Sequence, residues 1–192
     1  DIFAMDTYMT VTAYGEHASD AVDQAETEIK RLDELLSTGK ETSEVYQLNQ
    51  NGEAVVSDDT AYLFERSEKL YKQTKGVFDL SIYPVMDAWG FPTENYKVPS
   101  EDELHTLLEN VDASKIQYDK RTKKIMLPEN VKIDFGGIAK GYTSSRIMDI
   151  YKECGVTSGL VSLGGNVQLL GSKPDGSDWK VAVESPEEDG TY

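Results

Sequence analysis

Residues 132–151 read KIDFGGIAKGYTSSRIMDIY and combine the ingredients of an anion site. Asp134 precedes two glycines, Gly136 and Gly137; Lys140 follows, and the pattern then turns helical. Glycines allow positive φ and close approach of a ligand to the backbone. A helix start offers free N–H groups and a partial positive charge. Lys140, expected in the first turn, adds a full charge where the helix dipole alone does not favour a cation, and a phosphate is the anion that suits such a place. The spacing is not a Walker motif: the fifth residue after Gly136 is Gly141, but Tyr142 follows instead of lysine. Nor is it a dinucleotide fingerprint, because Ile138 stands where the second glycine belongs. The plain alternative is a tight strand-to-helix turn with a solvated lysine, and the stretch alone leaves both readings open.

Two other stretches hold candidate chemistry. SLGGNV (162–167) puts Gly164, Gly165 and Asn166 between two strand patterns, as a tight turn or bulge, or as a second place of close ligand approach. In TKGVFDLSIYPVMDAWGF (74–91), aromatic residues are most simply core, but Asp79 between Phe78 and Leu80 is not. A carboxylate in an apolar run must be paired, hydrogen-bonded or at a functional site.

Composition removes several alternatives. With 19 Lys and Arg against 35 Asp and Glu, the formal charge is −16, which disfavours nucleic acid and anionic lipid surfaces as partners. It also means that a phosphate-bearing ligand needs local positive charge. The single cysteine, Cys154, excludes an internal disulfide. His17 and His105 lie far apart in polar settings, so neither a zinc site nor a Cys–His nucleophile pair is expected. No apolar run approaches the roughly 20 residues of a membrane helix. The opening DIFAMDTYMTVTAYG shows no signal-peptide pattern and reads as a mature or trimmed start.

The elements that must carry these residues follow from periodicity. TYMTVTAY (7–14) is rich in β-branched and aromatic residues and predicts a strand. Val22, Ala25, Ile29, Leu32 and Leu36 recur at helical spacing and predict a helix over 19–37. Residues 37–52 read as loop with one short helical turn at most. A helix is expected over 58–76, with an apolar face of Leu63, Phe64, Leu70 and Tyr71 and with Gly76 as its C′ residue. Pro84 and Gly90 are expected to break 77–91. Ser100 and Glu103 form a capping box, so 99–111 predicts a short helix. Residues 115–134 predict a hairpin followed by a further strand. A helix over 139–154 should turn Ile147, Ile150, Tyr151 and Cys154 inward. Residues 159–186 predict strand, glycine pair, strand, a PDG turn and a last strand. Strands and helices mix without a strict βαβ rhythm, so the fold class is α+β: mixed sheets with flanking helices, over residues 1–192 as one domain.

Six stretches, FAMDTYMTVTAYG, LLSTGKETSEVYQLN, TKGVFDLSIYPVMDAWGF, IDFGGIAKGYTSS, SLGGNVQLLG and PDGSDWKVAVESP, together resemble the flavin:protein FMN transferase family, known as ApbE, in order and across nearly the whole chain. The resemblance implies an ApbE-like fold that binds FAD with Mg²⁺. It implies transfer of FMN from FAD to a threonine or serine of a target protein, releasing AMP. Targets are then subunits of redox pumps of the sodium-translocating NADH:quinone reductase and Rnf types. Some members instead hydrolyse FAD to FMN and AMP, and a flavin-binding module without turnover is a further possibility. The resemblance also implies an extracytoplasmic, lipid-anchored enzyme on a bacterial inner membrane, with the anchor upstream of Asp1.

Residue by residue, the resemblance implies that Met5 touches the flavin end and that Val77, Phe78 and Asp79 contact FAD, Asp79 through the adenine. It implies that Asp134 binds the cofactor, that Lys140 meets its pyrophosphate, and that Gly164, Gly165 and Asn166 line the same cleft. Gly137 would offer a backbone carbonyl to Mg²⁺; no catalytic residue is implied. Two departures stand out. The family often has Met-Gly-Thr where this chain has Met5-Asp6-Thr7, and many members carry a flavin-stacking tyrosine where this chain has Gly39. Members usually run on beyond the VAVESP strand with further metal ligands, so the chain is expected to be the N-terminal part, roughly two-thirds, of the family's domain.

Overall fold

The computed structural model describes residues 1–93, 95–183 and 185–187. The chain divides into two compact units, one made of residues 1–28 with those from 144 onward, the other of residues 29–143.

The first unit is built on a four-stranded antiparallel sheet, β1 (Ile2–Ala4), β2 (Thr7–Tyr14), β6 (Ser158–Leu163) and β7 (Asn166–Leu170), in the order β1-β2-β6-β7. The predicted strand at 7–14 forms with those bounds, and β1, too short to show a period, joins it through a two-residue turn at Met5-Asp6. β6 turns into β7 through Gly164-Gly165. Met9 pairs with Leu163, so the two tight turns lie side by side at one end of the sheet. Gly159 in β6 is forced by packing: a Cβ there would stand 2.8 Å from the buried Tyr151 ring and 2.9 Å from the Thr12 carbonyl. The PDG turn forms, with Gly176 N–H donating to the Lys173 carbonyl at 2.8 Å. The last predicted strand does not form over 179–183. A strand needs a neighbour to complete its ladder, and no described strand runs beside this stretch. Trp179 instead sits against Tyr14, with ring centroids 6.1 Å apart.

The second unit holds a three-stranded antiparallel sheet, β3 (Glu53–Val55), β5 (Lys124–Met126) and β4 (Gln117–Asp119), in the order β3-β5-β4. Its helices include α2 (Glu44–Asn51), α3 (Asp58–Gln73), α4 (Tyr83–Ala88) and α5 (Glu101–Leu108). Ser43, Ser57 and Ser100 cap α2, α3 and α5 by accepting backbone N–H groups. Leu63 and Phe64 of α3 are buried, while Leu70 and Tyr71 are half-buried.

Several expectations are corrected here. Residues 44–51 are a full helix, not loop. Lys75, not Gly76, is the C′ residue of α3: its φ is +57°, and Gly76 N–H closes the Schellman motif on the Tyr71 carbonyl. Pro84 sits in the first turn of α4 rather than breaking the segment, since the first helical positions need no N–H. The strand expected after the 117–126 hairpin is irregular backbone over 127–135.

Two long helices, α1 (Ala18–Leu36) and α6 (Gly136–Glu153), contain the division between the units. α1 buries Ala21, Ala25, Ile29 and Leu32 completely. α6 starts three residues earlier than predicted and buries Ile147, Met148 and Tyr151, while Ile150 and Cys154 are only half-buried. The α+β class stands, but both sheets are antiparallel throughout rather than mixed.

Candidate functional site

The Asp134–Lys140 turn lies in the second unit. α6 opens at Gly136, so both glycines are helical, and neither has a positive φ. Contacts explain them instead. A Cβ on Gly136 would stand 2.7 Å from Asp134 Oδ1, and one on Gly137 would stand 3.0 Å from Cε2 of the Phe78 ring. Asp134 Oδ1 accepts the Gly136 N–H and so places a carboxylate at the helix start. That charge suits the dipole, but it also means that an anionic ligand must draw on a cation. Lys140 is half-exposed and sits on the second turn, as the fifth residue of α6 and not in the first turn.

The Val77–Asp79 strap lies beside this turn. Val77 is 89 % exposed. Phe78 N–H donates to Thr74 Oγ1 at 3.0 Å, and its ring covers Gly137. Asp79 caps the 3₁₀ turn Leu80–Ile82. Its Oδ1 accepts from Ser81 N–H at 2.8 Å and from the Ser81 hydroxyl at 2.6 Å, and its Oδ2 accepts from Ala113 N–H at 3.1 Å. The carboxylate in an apolar run is therefore hydrogen-bonded within the protein. Leu80 in turn accepts the Asp134 N–H at 2.8 Å, which ties strap to turn.

Residues that sequence reasoning missed hold this arrangement. Asn49 of α2 brackets Ile133: its amide nitrogen donates to the Ile133 carbonyl and its amide oxygen accepts the Ile133 N–H, both at 2.8 Å. Tyr142, half a turn past Lys140, donates its hydroxyl to Asp59 of α3, whose other oxygen accepts from Arg31 of α1 at 2.8 Å. Tyr83 lies near Asp134; burial first, then the charges of Asp87 and Asp134, pushes its hydroxyl pKa upward. The motif YQLN carries Asn49 openly, but a single polar residue in a short segment has no period to mark it.

Gly39 follows α1 in a loop where Ser37 Oγ accepts both the Gly39 and Lys40 N–H groups at 3.1 Å. Lys40 bridges Asp33 at 2.7 Å and Glu34 at 3.2 Å; the Asp33 contact is the main reason its pKa is raised. Gly39 has ordinary φ, and a Cβ there would lie 3.6 Å from the Pro92 carbonyl, so a side chain fits.

The first unit gathers the other predicted contacts. Met5, Gly164, Gly165 and Asn166 share one end of its sheet. Gly164 and Gly165 have φ of +55° and +86°, the type I′ geometry that favours glycine at both central places. Met5 and Asp6 adopt the same geometry, at +48° and +56°, without a glycine. Gly164 N–H donates to the Tyr8 carbonyl at 3.2 Å, which binds the two turns together. The predicted residues thus fall into two sets, one in each unit.

The glycine–lysine helix turn and the two hairpin turns thus lie in an α+β chain whose likeness to known proteins runs over nearly its whole length. Residues 5–192 match the ApbE family, and the chain belongs to that family. The FAD:protein FMN transferase of Haemophilus influenzae is 27% identical over 186 residues, covering 92% of this chain and 53% of the relative. That of Vibrio cholerae is 28% identical over 173 residues, covering 85% and 52%. The chain therefore spans about half the length of the curated relatives it matches. Among solved structures, the ApbE protein of Thermotoga maritima superposes with a TM-score of 0.89 at 28% identity, covering 98% of this chain and 63% of that one. The flavin transferase ApbE of Vibrio cholerae superposes with a TM-score of 0.85 at 22% identity, a likeness of fold.

Proposed function

We propose that this chain is the FAD-binding part of an FAD:protein FMN transferase. The observation that carries the reading is the Asp134–Lys140 turn: an exposed glycine pair opening a long helix, a lysine one turn on, and the Phe78 ring packed against it. Such a turn suits a diphosphate, because Lys140 brings a full positive charge to the helix start in a chain of net charge −16. The names of the relatives give transfer of FMN from FAD to a protein, and the hydroxyl acceptor and release of AMP are part of the proposal. In it a threonine or serine hydroxyl oxygen forms a bond to the flavin-side phosphorus. The diphosphate P–O bond breaks, AMP leaves and the hydroxyl proton is lost. Acceptor subunits of redox pumps of the NADH:quinone reductase and Rnf types, and an extracytoplasmic lipid-anchored setting, belong to the proposal on the family likeness alone.

Mg²⁺ enters the proposal on the family likeness alone. Among the described residues no group of three or more His, Cys, Asp or Glu side chains could hold a metal ion. Gly137 is the second residue of α6, where a carbonyl ordinarily accepts the N–H four residues on. The described residues do not by themselves make a magnesium site.

Calorimetric titration with FAD and FMN tests the reading. A site built for a diphosphate binds FAD more tightly, and equal affinities would count against it. Incubation with FAD, Mg²⁺ and an acceptor subunit then reads the reaction by in-gel flavin fluorescence. AMP release without labelling would point to FAD hydrolysis instead.

A further inference from the structure

We propose that Asn49 is a positioning residue for the phosphate-binding turn, a role that rests on the reading of that turn as an FAD site. Residues 127–135 run without a sheet partner, yet a buried backbone must satisfy its N–H and C=O groups. At Ile133, which is fully buried, one side chain does both: the Asn49 amide gives and takes one bond each at 2.8 Å, in the manner of a neighbouring strand. Ile133 immediately precedes Asp134, and Asp134 caps the first turn of α6. The direction and height of the chain as it enters the turn are thus set from α2.

α2 does not need Asn49 for its own place. At its start, the Ser43 hydroxyl donates to the Leu35 carbonyl at 2.7 Å. Glu44 accepts from Ser57 N–H, from the Ser57 hydroxyl at 2.7 Å and from the Thr60 hydroxyl at 2.6 Å. Val45 and Leu48 are fully buried. Removing the Asn49 amide therefore frees the strand-like approach to the turn while α2 stays docked. That asymmetry separates a positioning residue from a general core contact.

The test is Asn49→Asp, which keeps the shape. Ionised, the carboxylate still accepts the Ile133 N–H but sets a charge against the Ile133 carbonyl. Protonated, it donates to that carbonyl and restores both bonds. At pH 7.5 the variant should bind FAD about tenfold or more weakly than the parent, the scale of one unsatisfied buried group. The ratio should close as the pH is lowered to 5, with the parent measured at each pH. Asn49→Leu, which cannot donate at any pH, should show no such recovery. Amide hydrogen exchange gives a readout independent of FAD: Ile133 and the first turn of α6 should exchange faster in Asn49→Asp at pH 7.5, while α3 stays protected. If the parent itself fails to bind FAD, the proposed function fails, and exchange alone then decides the role of Asn49. Parental FAD affinity in a folded Asn49→Asp at pH 7.5, or unchanged exchange at 133–139, would overturn the proposal. So would an Asn49→Asp chain unfolded at both pH values, which would make Asn49 a residue of the whole core.

Discussion

Replacing Asp79 by asparagine keeps the size of the side chain and removes one of its two acceptor oxygens. Three donors currently use the pair: Ser81 N–H at 2.8 Å and the Ser81 hydroxyl at 2.6 Å on Oδ1, and Ala113 N–H at 3.1 Å on Oδ2. An asparagine that turns its oxygen to Ser81 points its NH₂ at the Ala113 N–H. Flipped, it points its NH₂ at the Ser81 N–H. Either way two donors face each other. A hydrogen bond to a charged acceptor contributes about 1.5–3 kcal/mol. Asp79 is only half-buried, so water can take part of the orphaned demand, and the expected loss is about 1–2 kcal/mol. For a chain of this size that corresponds to a fall of about 2–8 °C in Tm.

Urea denaturation measures this loss, and FAD titration of the same samples measures the consequence for the site. Asp79 anchors Leu80, whose carbonyl accepts the Asp134 N–H at 2.8 Å, so a brace predicts that stability and FAD affinity fall together. A direct contact with the adenine, as the resemblance implies, predicts loss of affinity without loss of stability. An Asp79→Asn chain with parental stability and weakened FAD binding would refute the brace.

Lys140→Ala should weaken FAD binding by about 1.5–3 kcal/mol at low salt without unfolding the chain, checked by titration and circular dichroism. Asp6→Gly should stabilise by about 0.5–1 kcal/mol in urea denaturation, because Asp6 holds φ +56° in a type I′ turn. Tyr151→Phe should be as stable as the parent at pH 7 or more so, since the buried Tyr151 hydroxyl has no described partner. Burial pushes its pKa to about 12, so the unfolded chain loses its proton first and this contribution falls as pH rises above about 10. By pH 10.5 the parent should have lost on the order of 1 kcal/mol relative to Tyr151→Phe, and a pH-independent difference in paired urea titrations would contradict this.

Long periodic elements were legible from residue types: the strand at 7–14 and the helices at 18–36 and 58–73 follow patterns of β-branched residues or of three-four spacing that run for two turns or more. α2 was not, because eight residues show only Val45 and Leu48 as inward apolar positions. The residues proposed for the site stand out in the sequence for a related reason. Charge, glycine and helix start sit within seven residues at Asp134–Lys140, so their conjunction is visible locally. Yet the glycines owe their small size to protein neighbours as well as to any ligand: Phe78 lies 59 positions from Gly137, and no pattern within the 132–151 stretch announces that contact. The expected strand before the turn failed on the same ground. Val131 and Ile133 are buried at alternate positions, as in a strand, but the partner that completes Ile133 is a side chain 84 residues away rather than a ladder. A ladder is repetitive and leaves a period in the sequence. A single asparagine amide does the same work once and leaves none, which is why the scaffold of this candidate site is visible only in the structure.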